Sequence, residues 1–130
     1  MANAALDASA ILALLQAEPG GDRVAALLLD PAQSPLISSL NWSEVLDRLL
    51  RHGIEAPEAE RQIARLGLQV VDFNLDQARI AAAYRILAPS LSLADRACLA
   101  VANVRGATAW TADHDWNNFA LGVPIEQIRP

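Results

Sequence analysis

Short apolar runs and longer amphipathic segments alternate along this chain, and the alternation predicts strands separated by helices. Strands are predicted at residues 3–6, 36–39, 68–73 and 108–111, with residues 123–128 as a last strand or edge. Helices are predicted at residues 7–18, 22–30, 41–52, 57–66, 75–87 and 92–105, followed by a helical turn at 115–119. Because strands joined through helices form right-handed crossovers, we expect an α/β fold with a parallel sheet covered on both faces.

Several carboxylates fall at one level of this predicted fold. In open parallel sheets, functional sites lie beyond the carboxyl ends of the strands, where the strand order reverses. Asp7 and Asp113 follow two of the predicted strands, and Glu44 and Asp95 lie near the start of two predicted helices. We therefore expect all four side chains at the same edge of the sheet.

Asp7 and Asp113 also have a purely structural interpretation. Each is placed to cap a helix, because an Asp side chain at that position accepts a hydrogen bond from a free backbone N–H. Taken singly, each of the four carboxylates is better explained as part of a cap than as a catalytic group. Taken together, the four carboxylates favour a common site, because all of them are predicted at the carboxyl edge of the sheet.

The pattern supports Asp95 more strongly than Glu44. Both match a capping box, in which the third helical residue bonds back to the cap, with Ser92 and Asn41 as the respective caps. The helix of Asp95 is apolar on nearly every side, which predicts a buried helix whose first carboxylate needs a strong partner such as a divalent cation. Glu44 lies opposite the apolar stripe of its helix, and periodicity alone predicts that it is exposed.

Clustered carboxylates at such an edge suit Mg²⁺ or Mn²⁺, because these hard ions take oxygen ligands and complete their shells with water and substrate phosphates. A bound ion, or a pair of ions ~4 Å apart, polarises a phosphoryl oxygen and lowers the pKa of a bound water. Ser9 and Thr111 each lie two residues from a predicted ligand. Two interpretations of them stay open: a hydroxyl bond to a carboxylate or metal-bound water, or an ordinary helix-start or strand position.

Composition and charge limit the cellular location and the kinds of partner that we expect for this protein. The chain of 130 residues is 53% hydrophobic, but its longest apolar runs fall far short of the roughly 20 residues that a membrane span needs. The opening MANAALDAS lacks the basic stretch of a secretory signal, and the single cysteine, Cys98, fits a reducing compartment, so we expect a cytoplasmic protein. The net charge of −5 argues mildly against non-specific nucleic-acid binding, whereas the all-arginine basic set still allows local phosphate contacts.

Four segments of the chain resemble the PIN domains, and among these the VapC toxins of bacterial toxin–antitoxin pairs. They read LDASAILALL at residues 6–15, NWSEVLDRL at 41–49, SLADRACLAVA at 92–102 and TADHDW at 111–116. The resemblance covers essentially the whole chain, as one PIN domain over residues 1–130. It implies an α/β/α sandwich around a parallel sheet of four to five strands, and an Mg²⁺- or Mn²⁺-dependent endoribonuclease.

The resemblance also implies roles for individual residues and partners. By position, Asp7, Glu44, Asp95 and Asp113 match the acidic catalytic and metal-binding set, and Asp115 matches an auxiliary acidic position. Many relatives carry Arg beside the last of these acids, where this chain has His114. Such toxins cleave RNA, typically form homodimers, and are held inactive by a cognate VapB-like antitoxin whose C-terminal segment occupies the groove.

Other functions stay open. A non-catalytic binding module could keep the fold, although retention of all four acids argues against it. A response-regulator receiver needs a Lys near its acidic pocket, and this chain has none; a haloacid-dehalogenase-type phosphatase needs a second Asp where this chain has Ser9. Arg48, Arg51 and Arg96 are candidate contacts to RNA phosphates or an acidic partner, the alternative being solvated helix-face charges. The apolar first and second helices predict a partner groove or dimer face.

Overall fold

The computed structural model describes residues 2–130, in which five strands form one parallel sheet of order β3-β2-β1-β4-β5. The strands are β1 Ala2–Leu6, β2 Gln33–Ser38, β3 Gln69–Val71, β4 Thr108–Thr111 and β5 Ile125–Gln127. The α-helices are α1 Ala8–Leu15, α2 Gly21–Leu29, α3 Ser39–Arg51, α4 Ala56–Ala64, α5 Leu75–Leu87 and α6 Leu93–Arg105, and a 3₁₀ helix spans His114–Asn118. The predicted α/β class and parallel sheet are confirmed.

The sheet carries one hydrophobic core on each face. Ala5 of β1 belongs to the core under α5 and α6, whereas its neighbours Ala4 and Leu6 belong to the core under α1 to α4. Successive side chains of a strand point to opposite faces, so a strand covered on both sides is apolar at every position. This two-sided burial explains why β1 reads as an unbroken apolar run after Asn3.

The direction in which successive strands are added to the sheet reverses between β1 and β4. From β1 it passes to β2 and then β3 on one side, and it returns to add β4 and β5 on the other side. The carboxyl ends of β1 and β4 therefore form the switch point at which functional sites of such sheets occur. A backbone hydrogen bond of 3.1 Å from Asp7 N to the Trp110 carbonyl fixes the two strand ends side by side.

The beginning of α3 differs from the prediction. β2 pairs with β1 from Gln33 onward and ends at Ser38, whose hydroxyl accepts the Leu40 N–H. Ser38 is therefore the N-cap, and α3 begins at Ser39. Asn41 lies inside the helix, so the capping box predicted for Asn41 and Glu44 is wrong.

The predicted extents of α1 and β3 were too long. α1 ends at Leu15 rather than at residue 18, and Ala17 just after it adopts a positive φ of 54°, which is incompatible with a continuing helix. β3 is limited to Gln69–Val71, the residues that pair with β2. In the part of the chain that the structure describes, no helix has the length and apolar character to cross a membrane.

Candidate functional site

A cleft of about 310 Å³ opens at the switch point of the sheet. Its lining combines the four predicted catalytic carboxylates with a further acid that was not predicted, two arginines, two small residues and one leucine: Asp7, Glu44, Asp95 and Asp113, then Glu18, Arg48, Arg129, Ala8, Ser9 and Leu12. The four predicted carboxylates come from the end of β1, from α3, from the start of α6 and from the segment after β4, whereas Glu18 lies between α1 and α2. Four elements that are distant in sequence thus bring these acids to one place.

Asp7 is the most firmly held of the four acids. It is only 4% exposed, and its Oδ1 accepts hydrogen bonds from the Ala10 N–H at 2.9 Å and the Ser9 hydroxyl at 2.7 Å. Its Oδ2 accepts a bond of 2.5 Å from the Thr111 hydroxyl. Asp7 is therefore both the N-cap of α1 and a member of the cleft. The hydroxyl-to-carboxylate interpretation of Ser9 and Thr111 is confirmed.

The environment of Asp7 disfavours its charged form. Burial raises the pKa of Asp7 from 3.8 to about 6, although the hydrogen bonds from Thr111, Ser9 and Ala10 lower it, and the charge of Asp95 raises it further. Among the described residues, three donors but no positively charged group affect the pKa of Asp7, so a nearby cation would stabilise this buried carboxylate, because an opposite charge favours the ionised form.

Asp95 and Glu44 are the two cleft acids that helices contribute. Asp95 forms the predicted capping box with Ser92, with both hydrogen bonds at 3.1 Å. Burial raises the pKa of Asp95, and the charges of Asp113 and Asp115 add to the effect. Glu44 is exposed, as its helical pattern predicted, yet partial desolvation and the charge of Asp95 raise the pKa of its carboxyl group, against the lowering effects of Asn41 and Arg48. Mutual repulsion among these acids is what a cation would relieve.

The segment after β4 carries two acids, Asp113 and Asp115, which occupy different environments. Asp113 lines the cleft, and its Oδ1 accepts the Asp115 N–H at 2.9 Å as the cap of the 3₁₀ helix. Asp115 is not among the lining residues. Its two carboxylate oxygens accept bonds from the Ser90 hydroxyl and the Asn118 amide at 2.6 and 2.9 Å, and these bonds lower its pKa. Asp115 therefore acts on the cleft through its charge, which raises the pKa of Asp95.

The candidate arginines separate by environment. Arg48 lines the cleft. Arg51, one turn further along α3, forms an exposed ion pair of 3.0 Å with Asp47. Arg96 donates to the backbone carbonyls of Ala81 and Leu91 at 2.9 and 3.4 Å, and so ties α6 to α5 and the loop between them. Of these three residues, only Arg48 faces the carboxylates.

Arg129 is a cleft residue that the sequence analysis missed. It follows β5 by two residues, as Asp113 follows β4, and its guanidinium donates to the Pro19 carbonyl at 2.9 Å. The rule that placed Asp113 at this edge also places Arg129 there. The position of Arg129 after a predicted strand could have identified it, but the rule was applied only to acidic residues.

The donor set of the cleft fits Mg²⁺ or Mn²⁺ that retains water. Within residues 2–130, no three Asp, Glu, His or Cys side chains are placed so as to hold one ion by themselves. Mg²⁺ usually binds through one or two carboxylates, with water and substrate phosphates completing its shell. A fixed carboxylate at Asp7, with Asp95, Asp113 and Glu44 along the same cleft, meets that requirement, since every one of these donors is a hard oxygen ligand.

The comparison with protein families identifies the family of the chain. The PIN domain family matches residues 4–121. The chain belongs to the PIN domain family. All the cleft carboxylates of this PIN domain lie inside the matched range, whereas Arg129 lies beyond it. The comparison with curated proteins found no match.

Solved structures similar to this PIN domain include several toxin–antitoxin proteins. A toxin–antitoxin complex from Klebsiella pneumoniae has a TM-score of 0.75 at 20% identity, over 96% of this chain and 97% of that chain. VapBC-1 from nontypeable Haemophilus influenzae has a TM-score of 0.74 at 16% identity, over 97% and 98%. VapC20 from Mycobacterium tuberculosis, described as a sarcin–ricin loop cleaving toxin, has a TM-score of 0.70 at 21% identity, over 93% and 99%. At these identities, the likeness establishes the fold.

Proposed function

We propose that this PIN domain is a VapC-type toxin, a divalent-metal-dependent endoribonuclease that hydrolyses RNA phosphodiester bonds. The observation that carries the proposal is the convergence of Asp7, Glu44, Asp95 and Asp113 on one cleft at the switch point of the sheet. The similarity to VapBC structures, and to a toxin described as cleaving the sarcin–ricin loop, supports the same activity.

The acids of the cleft would contribute unequally to metal binding. Asp7, Asp95 and Asp113 would hold Mg²⁺ or Mn²⁺ partly through its bound water, with assistance from Glu44, and Asp115 would contribute its charge from outside the lining. A bound ion would supply positive charge to phosphoryl oxygens and lower the pKa of a water molecule. The chain itself fixes the geometry, because Ser9 and Thr111 hold both oxygens of Asp7 in place.

The test of this function is cleavage of total cellular RNA by the purified, antitoxin-free protein. We expect cleavage with Mg²⁺ or Mn²⁺ and none with EDTA or after Asp7→Ala. Intact RNA under all metal conditions, or cleavage that survives Asp7→Ala, would reject the enzyme and favour a non-catalytic binding module with the same fold.

Arg48 is expected to contact RNA phosphate. It lines the cleft, and within the described residues no carboxylate lies within ion-pair distance of it. On the inactive Asp7→Asn background, we expect Arg48→Ala to weaken single-stranded RNA binding and to reduce the slope of log K against log salt by roughly 0.7, the value for one lost phosphate contact. Fluorescence anisotropy at several salt concentrations measures both quantities.

Arg51→Ala is the matched control for Arg48→Ala. It removes the same charge from the same helix, but from a side chain already paired with Asp47. We expect Arg51→Ala to leave the salt slope unchanged. Equal effects of the two substitutions would mean that only the net charge of α3 matters, and that Arg48 makes no specific contact.

We also propose that residues 1–130 form a single PIN domain, which acts in the cytoplasm as a homodimer controlled by a VapB-like antitoxin. The partner face predicted on the first two helices is only partly available. Ile11 and Leu12 of α1 are buried in the core of the chain itself, whereas Leu29 at the end of α2 is 84% exposed. Size-exclusion chromatography with light scattering tests the dimer.

A further inference from the structure

Asn41 joins two of the elements that form the acidic cleft. It is 1% exposed, in the first turn of α3. Its Nδ2 donates to Glu44 Oε1 at 2.8 Å and to the Ala94 carbonyl at 3.0 Å. Ala94 immediately precedes Asp95, so one amide group contacts both the Glu44 side chain and the backbone beside Asp95.

The orientation of this amide is determined by its neighbours. A carboxylate oxygen and a backbone carbonyl are both acceptors, so the NH₂ end must face them. Asn41 Oδ1 is then buried without a hydrogen-bond partner among the described residues. A buried carbonyl without a donor is destabilising, and an apolar side chain of the same shape would avoid that cost. Packing alone therefore does not account for an amide at this position.

Glu44 needs such a contact to stay at the cleft. Its side chain is long and exposed, and the repulsion by the nearby charge of Asp95 outweighs the attraction by Arg48. In the described part of the chain, the Asn41 amide is its one hydrogen-bond donor. Without this bond, repulsion and the rotamer entropy of a Glu side chain both favour conformations that turn the carboxylate into solvent.

We infer that Asn41 is a positioning residue, whose amide, anchored on the start of α6, holds the Glu44 carboxylate at the cleft beside Asp95. This inference rests on the proposed function, since it gives Glu44 its place in the metal site. Asn41 itself would touch neither metal nor RNA. Its substitution is thus expected to act only through Glu44.

The test measures Mn²⁺ affinity by the electron paramagnetic resonance signal of free Mn²⁺, with no RNA present. We expect Asn41→Leu to weaken Mn²⁺ binding about 10-fold, the lower end of the range for groups that orient metal ligands. We expect its Tm to stay close to that of the wild type, because removal of the unpartnered amide oxygen offsets the loss of the hydrogen bonds to Glu44 and Ala94. Asn41→Ala provides the same measurement if Leu proves too large for the site.

Two comparisons separate positioning from a general structural effect. Gln77 is also buried with an unpartnered amide oxygen, but it lies on α5 outside the cleft lining, so Gln77→Leu should leave Mn²⁺ affinity unchanged. The double variant Asn41→Leu/Glu44→Ala should bind Mn²⁺ no more weakly than Glu44→Ala alone, since Asn41 acts through Glu44.

The inference is overturned if the Asn41 variants bind Mn²⁺ like the wild type, or if the Asn41 and Glu44 effects multiply in the double variant. A wild-type protein that binds Mn²⁺, and loses it on Asp7→Asn, keeps the proposed metal site even when the Asn41 result is negative. A wild type that binds no Mn²⁺ rejects that site, and the role of Asn41 with it.

Discussion

We expect Asp7→Asn to lower RNA cleavage by about 10²–10³-fold, the scale of losing one electrostatic group from an active site, while making the metal-free protein more stable at neutral pH. The amide keeps the shape of the carboxylate and still accepts the Ala10 N–H that caps α1. The substitution removes the charge that would hold the cation. Opposite effects on activity and stability are the signature of a functional buried charge.

The stability gain follows from the raised pKa of Asp7. Burial brings that pKa to about 6 in the folded protein, against an ordinary value of 3.8 for an Asp side chain in water. A raised folded-state pKa means that the stabilising contribution is complete below pH 3.8 and is lost as the pH rises through 6. Above that window, ionised Asp7 lowers the free energy of unfolding, by on the order of 1–3 kcal/mol for a shift of this size.

Thermal unfolding of wild type and Asp7→Asn in EDTA at pH 4, 6 and 8 measures this effect. We expect similar Tm values at pH 4 and a Tm several degrees higher for the variant at pH 8. Mg²⁺ should stabilise the wild type and not the variant, because binding to the folded state alone raises stability. Asp72→Asn, at an exposed position outside the cleft lining, is the control for a simple change of net charge. A variant less stable than the wild type at pH 8 would contradict this account.

The sequence predicted the acids at the strand ends better than those on the helices. Asp7 and Asp113 follow directly from the rule that parallel strands end at a common edge, and the structure places both at the cleft. For Glu44 the helical period predicted exposure, which is correct, and only the family resemblance kept it in the candidate set. A side chain can be exposed and still face a cleft that is completed by another element. The hydrophobic period of one helix gives no information about that other element.

Three of the four predicted caps are confirmed, those of Asp7, Asp113 and the Ser92–Asp95 box, and the one predicted for Asn41 and Glu44 is wrong. Caps and site members were weighed as alternatives, but the carboxylates of Asp7, Asp95 and Asp113 accept backbone N–H groups at helix starts and also line the cleft, because a side chain that fixes a helix start is itself fixed. At Asn41 the error came from ending β2 one residue late. The true cap is Ser38, which moves Asn41 inside α3 and frees its amide for Glu44 and Ala94. A cap three residues earlier than predicted thus changes the role of a buried polar group.

Thr111→Val is expected to have the second-largest effect, an activity loss of about 10- to 100-fold, as for groups that orient metal ligands. The buried Thr111 hydroxyl donates to Asp7 Oδ2 at 2.5 Å and accepts the Asp113 N–H at 3.0 Å. Val keeps the shape of Thr but removes both bonds. Asp7 loses the hydrogen bond that lowers its pKa the most, and Asp113 loses the acceptor that holds its backbone.

The pH dependence of Mn²⁺ binding distinguishes these two losses. Protons compete with the cation for Asp7, so a higher pKa of Asp7 in Thr111→Val moves the pH of half-saturation upward at fixed Mn²⁺. Ser9→Ala removes a bond with a smaller effect on that pKa and should move the midpoint less, while Thr111→Ser should restore it. If Thr111→Val weakens Mn²⁺ binding equally at every pH, its hydroxyl acts by holding Asp113, because the loss of a backbone contact changes geometry without changing proton competition at Asp7.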